Sequence, residues 1–142
     1  MCGRAPLMVL EVLLRLAVAG AFIGHGAYGA ILAKPAWFDY FGVLGIDQAT
    51  VSAYGLMQIV GWMEIALGLL ALVLPIPALL LAMFVWKILT ELLRPFAGEL
   101  VWEFVERGSN MVAPLALLLV VRHRAIPFSR GTPAQQVVAA RH

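Results

Sequence analysis

The sequence predicts an all-α protein, an antiparallel four-helix transmembrane bundle. Three observations carry that expectation. Hydrophobic residues make up 63% of the 142 and charged residues 13%, against roughly 45–50% and about 25% in a soluble domain. Mean hydropathy is correspondingly high, at +0.93. Four apolar stretches, the fourth of them short for a span, follow one another with polar or proline-rich breaks between them, and no stretch shows strand patterning.

The first stretch runs from about 7 to 32, comfortably above the ~20 residues a bilayer crossing needs. Glu11 and Arg15 interrupt it with the acid first at i,i+4, the favourable order on a helix. The interruption and the length argue for a retained helix rather than a cleaved leader, with the pair near the membrane entrance. Further on, "GAFIGHGAYGA" places His25 among Gly20, Ala21, Gly24, Gly26 and Gly29. Small residues allow close helix approach and keep His25 on a packed or cavity-facing side. The connection that follows, "KPAWFDYFG", concentrates Trp37, Phe38, Tyr40 and Phe41. It reads as an aromatic belt at the headgroups or as a lid over an outward-facing pocket.

The second span covers about 52–74 and carries Glu64; "PIP" at 75–77 makes a tight break; the third covers about 77–93. The third raises the main physical question, because Lys87, Glu91 and Arg94 stand at i, i+4 and i+7, on one helix face. A charge at the bilayer centre costs about 2.5–3.5 kcal/mol on insertion scales. Arg94, beside a helix-ending Pro95, and Glu91 are expected to reach the outer interface. Lys87 lies ~15 Å into its span at 1.5 Å per residue and needs a carboxylate or water. Glu64 sits at similar depth on the preceding helix, so the tight turn should bring the two together, directly or through water. Trp62 and Trp86 flank these charges and read as packing or lipid-facing residues.

"ELVWEFVERG" places Trp102 and Val105 on one side and Glu99, Glu103 and Glu106 on another, a short amphipathic segment for the headgroup region. The fourth span is expected at about 108–121, capped or entered at Asn110. Residues 1–121 then form the membrane domain, and 122–142 a flexible cytoplasmic tail.

Net charge is only +2. Arg4, Arg15, Arg122, Arg124, Arg130 and Arg141 cluster near the two ends, a topology signal rather than a nucleic-acid stripe. They place both termini in the cytoplasm and the connections 33–51 and 94–109 outside. Cys2 alone allows no internal disulfide and no CxxC chemistry. Gly-rich phosphate loops, HExxH and a serine triad are not among the motifs, and no metal site is expected.

All four spans therefore bring polar groups to one locality in the outer half. His25 and Glu64 are the proton-handling candidates. Lys87, Glu91, Arg94, Arg107 and Asn110 are the ligand-binding candidates. Intramembrane ionisable residues point to a functional site; a paired ionic network that fixes helix register is the competing account.

Three short motifs, "FIGHG" with His25-Gly26, "GWMEIALGLLAL" with Glu64, and Asn110 before the last span, together resemble the DoxX-like family of small bacterial integral membrane proteins. The resemblance covers roughly residues 11–121. The block "KILTELLRPFAGELVWEFVERGSN" is denser in charge than the family's pattern. The resemblance implies a four-helix protein of the bacterial inner membrane tied to redox systems, since some relatives are subunits of thiosulfate:quinone oxidoreductase. The expectation is a redox-associated subunit without its own redox centre, binding a quinone or similar small amphiphile in an outward-facing polar pocket. Its partners would be the lipid bilayer, other membrane or redox subunits, or a second copy of itself, and no nucleic acid. The alternatives are a structural or assembly subunit of a larger membrane complex and a small-molecule transporter.

Overall fold

The computed structural model describes residues 4–46 and 52–125. Cys2, Asp47, Arg130, Arg141 and most of the expected tail lie outside the described residues. Among the described residues the chain is all-helical: α1 (Arg4–Ala30), α2 (Ala36–Val43), α3 (Ala53–Val73), α4 (Pro77–Phe96), α5 (Val101–Glu106) and α6 (Gly108–Ala125).

Local chemistry sets the boundaries. α1 begins with Pro6 in its first turn, where a missing N–H costs nothing. It ends in a turn closed by the Lys34 amide on the Tyr28 carbonyl at 2.9 Å. Within that turn Ala33 takes a left-handed conformation, with φ of 50°. Pro35 then starts α2, which folds back against the bundle. Ser52 caps α3, its Oγ accepting from the Gly55 amide at 3.1 Å. Extended Ile76 and Pro77 at the first helical position start α4.

Two boundaries differ from the sequence expectation. α4 does not stop before Pro95 but continues to Phe96, with Pro95 inside its last turn. Arg94 is held in helical conformation by ion pairs to Glu91 and Glu99, and a proline this near the end removes only one ladder bond. α6 runs to Ala125 rather than 121, taking in Arg122, His123 and Arg124. Basic residues suit the last turn of a helix, and Arg124 is anchored by Glu11 on α1. α6 also contains a buried proline, Pro114.

α1 and α3 form the closest helix pair and run antiparallel, with Ala19 beside Gly68 and Gly26 beside Gly61. α3 presents one seam at three- and four-residue spacing: Ala53, Met57, Gly61, Glu64, Gly68 and Ala71. Its two glycines are required by proximity. A Cβ on Gly61 would stand 2.6 Å from the Gly26 carbonyl oxygen, and one on Gly68 would stand 3.1 Å from that of Ala19. α4 contributes the seam Leu80, Met83, Lys87, Glu91 and Arg94. α6 packs against both α1 and α4.

Two apolar clusters sandwich a polar layer. One is built from Val18, Phe22, Ala71, Leu80, Met83, Leu117 and Leu118. The other is built from Trp37, Tyr40, Phe41, Ala53 and Met57 at the α2 end. Five charged residues, Glu11, Glu64, Lys87, Glu91 and Arg94, are buried, while Leu13, Ile59, Trp62, Val73, Leu89 and Leu119 are more than half exposed. Charged interior and apolar exterior invert the soluble pattern and fit a lipid solvent. α1, α3 and the α5–α6 segment are each long and apolar enough to cross a membrane. α4 has spanning length too, but Lys87, Glu91 and Arg94 lower its apolarity.

Candidate functional site

Glu64 is the hub of the polar layer, with no solvent-exposed surface. Lys87 Nζ donates to its Oε1 at 3.1 Å and Trp86 Nε1 donates to the same oxygen at 2.8 Å. His25 Nδ1 lies 2.5 Å from Oε2, donating when that nitrogen carries the proton. Three groups from α1 and α4 thus satisfy one carboxylate at the α3 seam, as a buried charge requires. The expected meeting of Glu64 and Lys87 is direct. Lys87 Nζ also lies 4.7 Å from the centre of the Phe22 ring, a cation–π contact.

A second knot sits nearer the α2 end of the bundle. Arg94 Nε donates to Glu91 Oε2 at 2.6 Å, and its Nη1 donates to Glu99 at 2.8 Å and to Tyr40 Oη at 3.0 Å. The Tyr40 hydroxyl in turn donates to Glu99. Arg94 and Glu91 therefore do not reach the interface as expected; both are buried, because carboxylates on either side give the guanidinium an internal partner set. Burial raises the Tyr40 phenol well above its ordinary value, and Glu99 raises it further while Arg94 opposes. For Glu99 burial acts upward, but the hydrogen bonds from Tyr40 and Arg94 outweigh it and hold the carboxyl below its usual range. Arg107 Nε stands 4.0 Å from Glu91 Oε2 and has no hydrogen-bond partner among the described residues. Three cations (Lys87, Arg94, Arg107) face three carboxylates (Glu64, Glu91, Glu99).

Beside this network lies a cavity of about 200 Å³. His25, Lys87, Glu91, Arg107 and Asn110 form its polar wall, and Gly20, Ala21, Gly24 and Tyr28 of α1 form the rest. Five of the seven expected site residues thus line one hollow. Glu64 and Arg94 stand behind it, bonded to its wall. The glycines of α1 divide into two sets. Gly26 and Gly29 sit against α3 and α2, as expected of close-packing residues. A Cβ at Gly20 or Gly24 would meet nothing within 4 Å, so these two leave space rather than bring helices together.

α2 closes the end of the site. Trp37, Tyr40 and Phe41 are buried, not arrayed in an aromatic belt. Trp37 stacks on His25 with ring centroids 5.1 Å apart and a tilt of 32°. Trp86, Trp37, Tyr40 and Glu99 are the site residues that sequence reasoning missed. Trp86 carried a signal: next to Lys87, its indole N–H needed a partner if it was buried. Nothing in the sequence linked Tyr40 to Glu99, 59 positions apart.

At the opposite end Glu11 accepts from Arg15 at 2.5 Å and from Arg124, and Arg15 Nη1 donates to the Leu72 carbonyl at 3.2 Å. This cluster ties the start of α1 to the ends of α3 and α6. Among the described residues no group of three or more histidine, cysteine or acidic side chains is placed to hold a metal ion.

A polar core inside an apolar shell defines the class of the chain, a multi-pass helical protein of the lipid bilayer. Comparison with protein-family models, with curated proteins and with solved structures gave no match.

Proposed function

We propose that the chain is a four-helix membrane bundle, with α4 as the fourth span, that binds the head of a quinone or similar small amphiphile as a redox-associated subunit. The carrying observation is a hollow whose wall gathers His25, Lys87, Glu91, Arg107 and Asn110 from three helices. α4 suits a lipid-facing position because its charges turn inward while Leu81, Val85, Leu89 and Leu92 turn outward. The arginines at the Glu11 end favour a cytoplasmic placement of both termini, with the cavity toward the outer side. The DoxX-like resemblance agrees with this reading and adds the bacterial inner membrane as its setting.

The donor set fits oxygen acceptors. Lys87 Nζ, the Arg107 guanidinium and the Asn110 amide would hold the oxygens of a quinone head. The hollow is smaller than the ~300–1,000 Å³ of sites for drug-sized ligands, so it suits a single ring. A quinone takes up protons as it is reduced, with electrons that a partner subunit would deliver. His25 lines the cavity and shares a short hydrogen bond with Glu64, so this pair holds a proton at the cavity wall.

The test is decylubiquinone binding by purified protein in lipid nanodiscs, read by tryptophan quenching. Wild type is expected to saturate, and Asn110→Ala and His25→Ala to weaken binding about tenfold, the loss of one good hydrogen bond to a buried oxygen. Equal binding by all three proteins would remove the proposed site. A structural or assembly subunit is the second reading, favoured by the equal number of cations and carboxylates in the polar layer. A stoichiometric co-purifying partner without any quinone binding would decide for it.

A further inference from the structure

The cavity does not sit symmetrically in the bundle. Its polar wall comes from α4, from the start of α6 and from His25 of α1, whereas the facing stripe of α1 is Gly20, Gly24 and Tyr28 at four-residue spacing. All three are exposed on the outer surface as well as lining the hollow. They therefore form its mouth. Gly20 lies ten residues from the end of α1 at Ala30, ~15 Å along the axis. An opening at that depth faces acyl chains rather than water. Below it the same stripe continues with Leu16 and Leu13, both more than half exposed.

Polarity also runs in one direction along this groove. Tyr28, Arg107 and Asn110 stand toward the outer end, and Gly20, Ala21 and Gly24 toward the membrane centre. At the outer end α2 covers His25 with Trp37. The hollow alone holds a ring and no chain, so a hydrocarbon tail must leave through the mouth. Bare glycine surface, with nothing within 4 Å of either missing Cβ, is the space for it.

We infer that the ligand enters sideways from the bilayer between α1 and α6, and that Gly20 and Gly24 select for a tail. The polar head lodges against Lys87, Arg107 and Asn110, and the first carbons of a slim chain lie in the groove over the two glycines. This deepens the proposed function and rests on it. The ligand class narrows to a single-chain amphiphile that partitions into lipid, as opposed to a water-soluble ring.

The experiment compares decylubiquinone with its tail-less ring, 2,3-dimethoxy-5-methylbenzoquinone, on wild type, Gly20→Leu and Gly24→Leu in nanodiscs. Each ligand is compared across variants, so its partitioning into lipid cancels. A leucine in the groove occupies the path of the tail, and this steric exclusion is expected to weaken the decyl ligand by about tenfold or more. The tail-less ring should change less than twofold. Should Gly24→Leu fail to fold, Gly24→Ala is the milder filler, with a loss of about threefold expected for the decyl ligand alone. As a readout independent of affinity, a photoreactive group at the chain end should label α1 between Leu13 and Gly20 in wild type and not in Gly24→Leu. Unchanged binding of the decyl ligand in the variants, or equal loss for both ligands, overturns sideways selection and leaves the quinone reading intact. Absence of binding by either ligand to wild type overturns both.

Discussion

Replacing Glu64 with glutamine keeps the shape of the side chain and removes its charge. Lys87, only 1% exposed, then loses its direct carboxylate partner at 3.1 Å. Breaking a buried pair from one side costs about 3–5 kcal/mol, because a charge is left desolvated without compensation. That is a hundredfold or more in the ratio of folded to unfolded protein. Lys87→Met should cost less, since Glu64 keeps Trp86 and His25 as donors. In the double variant no charge is stranded, so its loss should fall short of the sum of the single losses by at least ~1.5 kcal/mol. The assay is reversible unfolding in mixed detergent micelles titrated with SDS, followed by far-UV circular dichroism. Additive losses within ~0.5 kcal/mol, or a loss below ~1 kcal/mol for Glu64→Gln, would refute the account of Glu64 and Lys87 as a mutually dependent pair.

Gly26→Ala should destabilise the same unfolding transition by about 1–3 kcal/mol, because its Cβ meets the Gly61 backbone at 2.5 Å. Gly24→Ala should instead leave stability unchanged or raise it by about 0.5–1 kcal/mol through helix propensity. Ala33→Gly relieves a left-handed alanine and should add about 0.5–1 kcal/mol after the entropy of glycine is subtracted, measured in the same way. The Tyr40–Glu99–Arg94 knot should weaken in acid. The folded pKa of Glu99 lies below its ordinary value of 4.5, so its stabilisation is full above about 4.5 and is lost as pH falls through the lower folded value. Trp37 fluorescence over that window should change in wild type and stay flat in Glu99→Gln.

The all-helical class was legible because apolar runs and prolines speak locally: the Pro75–Pro77 break appears where the sequence puts it. The meeting of Glu64 and Lys87 was legible for the same reason, since a tight turn aligns equal depths on adjacent helices. Arg94 shows where local reading fails. Beside a proline it reads as the end of a helix, and only Glu99 and Tyr40, brought in by α2 and the α4–α5 connection, make it an interior residue. α2 was ambiguous on its own terms, because four aromatics within residues 37–41 serve a headgroup belt and a packed lid equally well. Burial of Trp37 and Phe41 depends on Ala53 and Met57 across the bundle, which no local pattern encodes. Gly20 and Gly24 looked identical to Gly26 and Gly29; the difference is the neighbour, not the residue.

The two helix-interior prolines have a consequence for how the bundle bends. Pro95 offers no amide to the carbonyl of Glu91, and Pro114 none to that of Asn110. Glu91 and Asn110 both border the hollow. α4 and α6 thus each lack a backbone rung at the level of the polar wall, a pair of creases facing each other across it. Flexing either helix there sacrifices one bond fewer than anywhere else along its length, so the bundle yields first where it would have to widen.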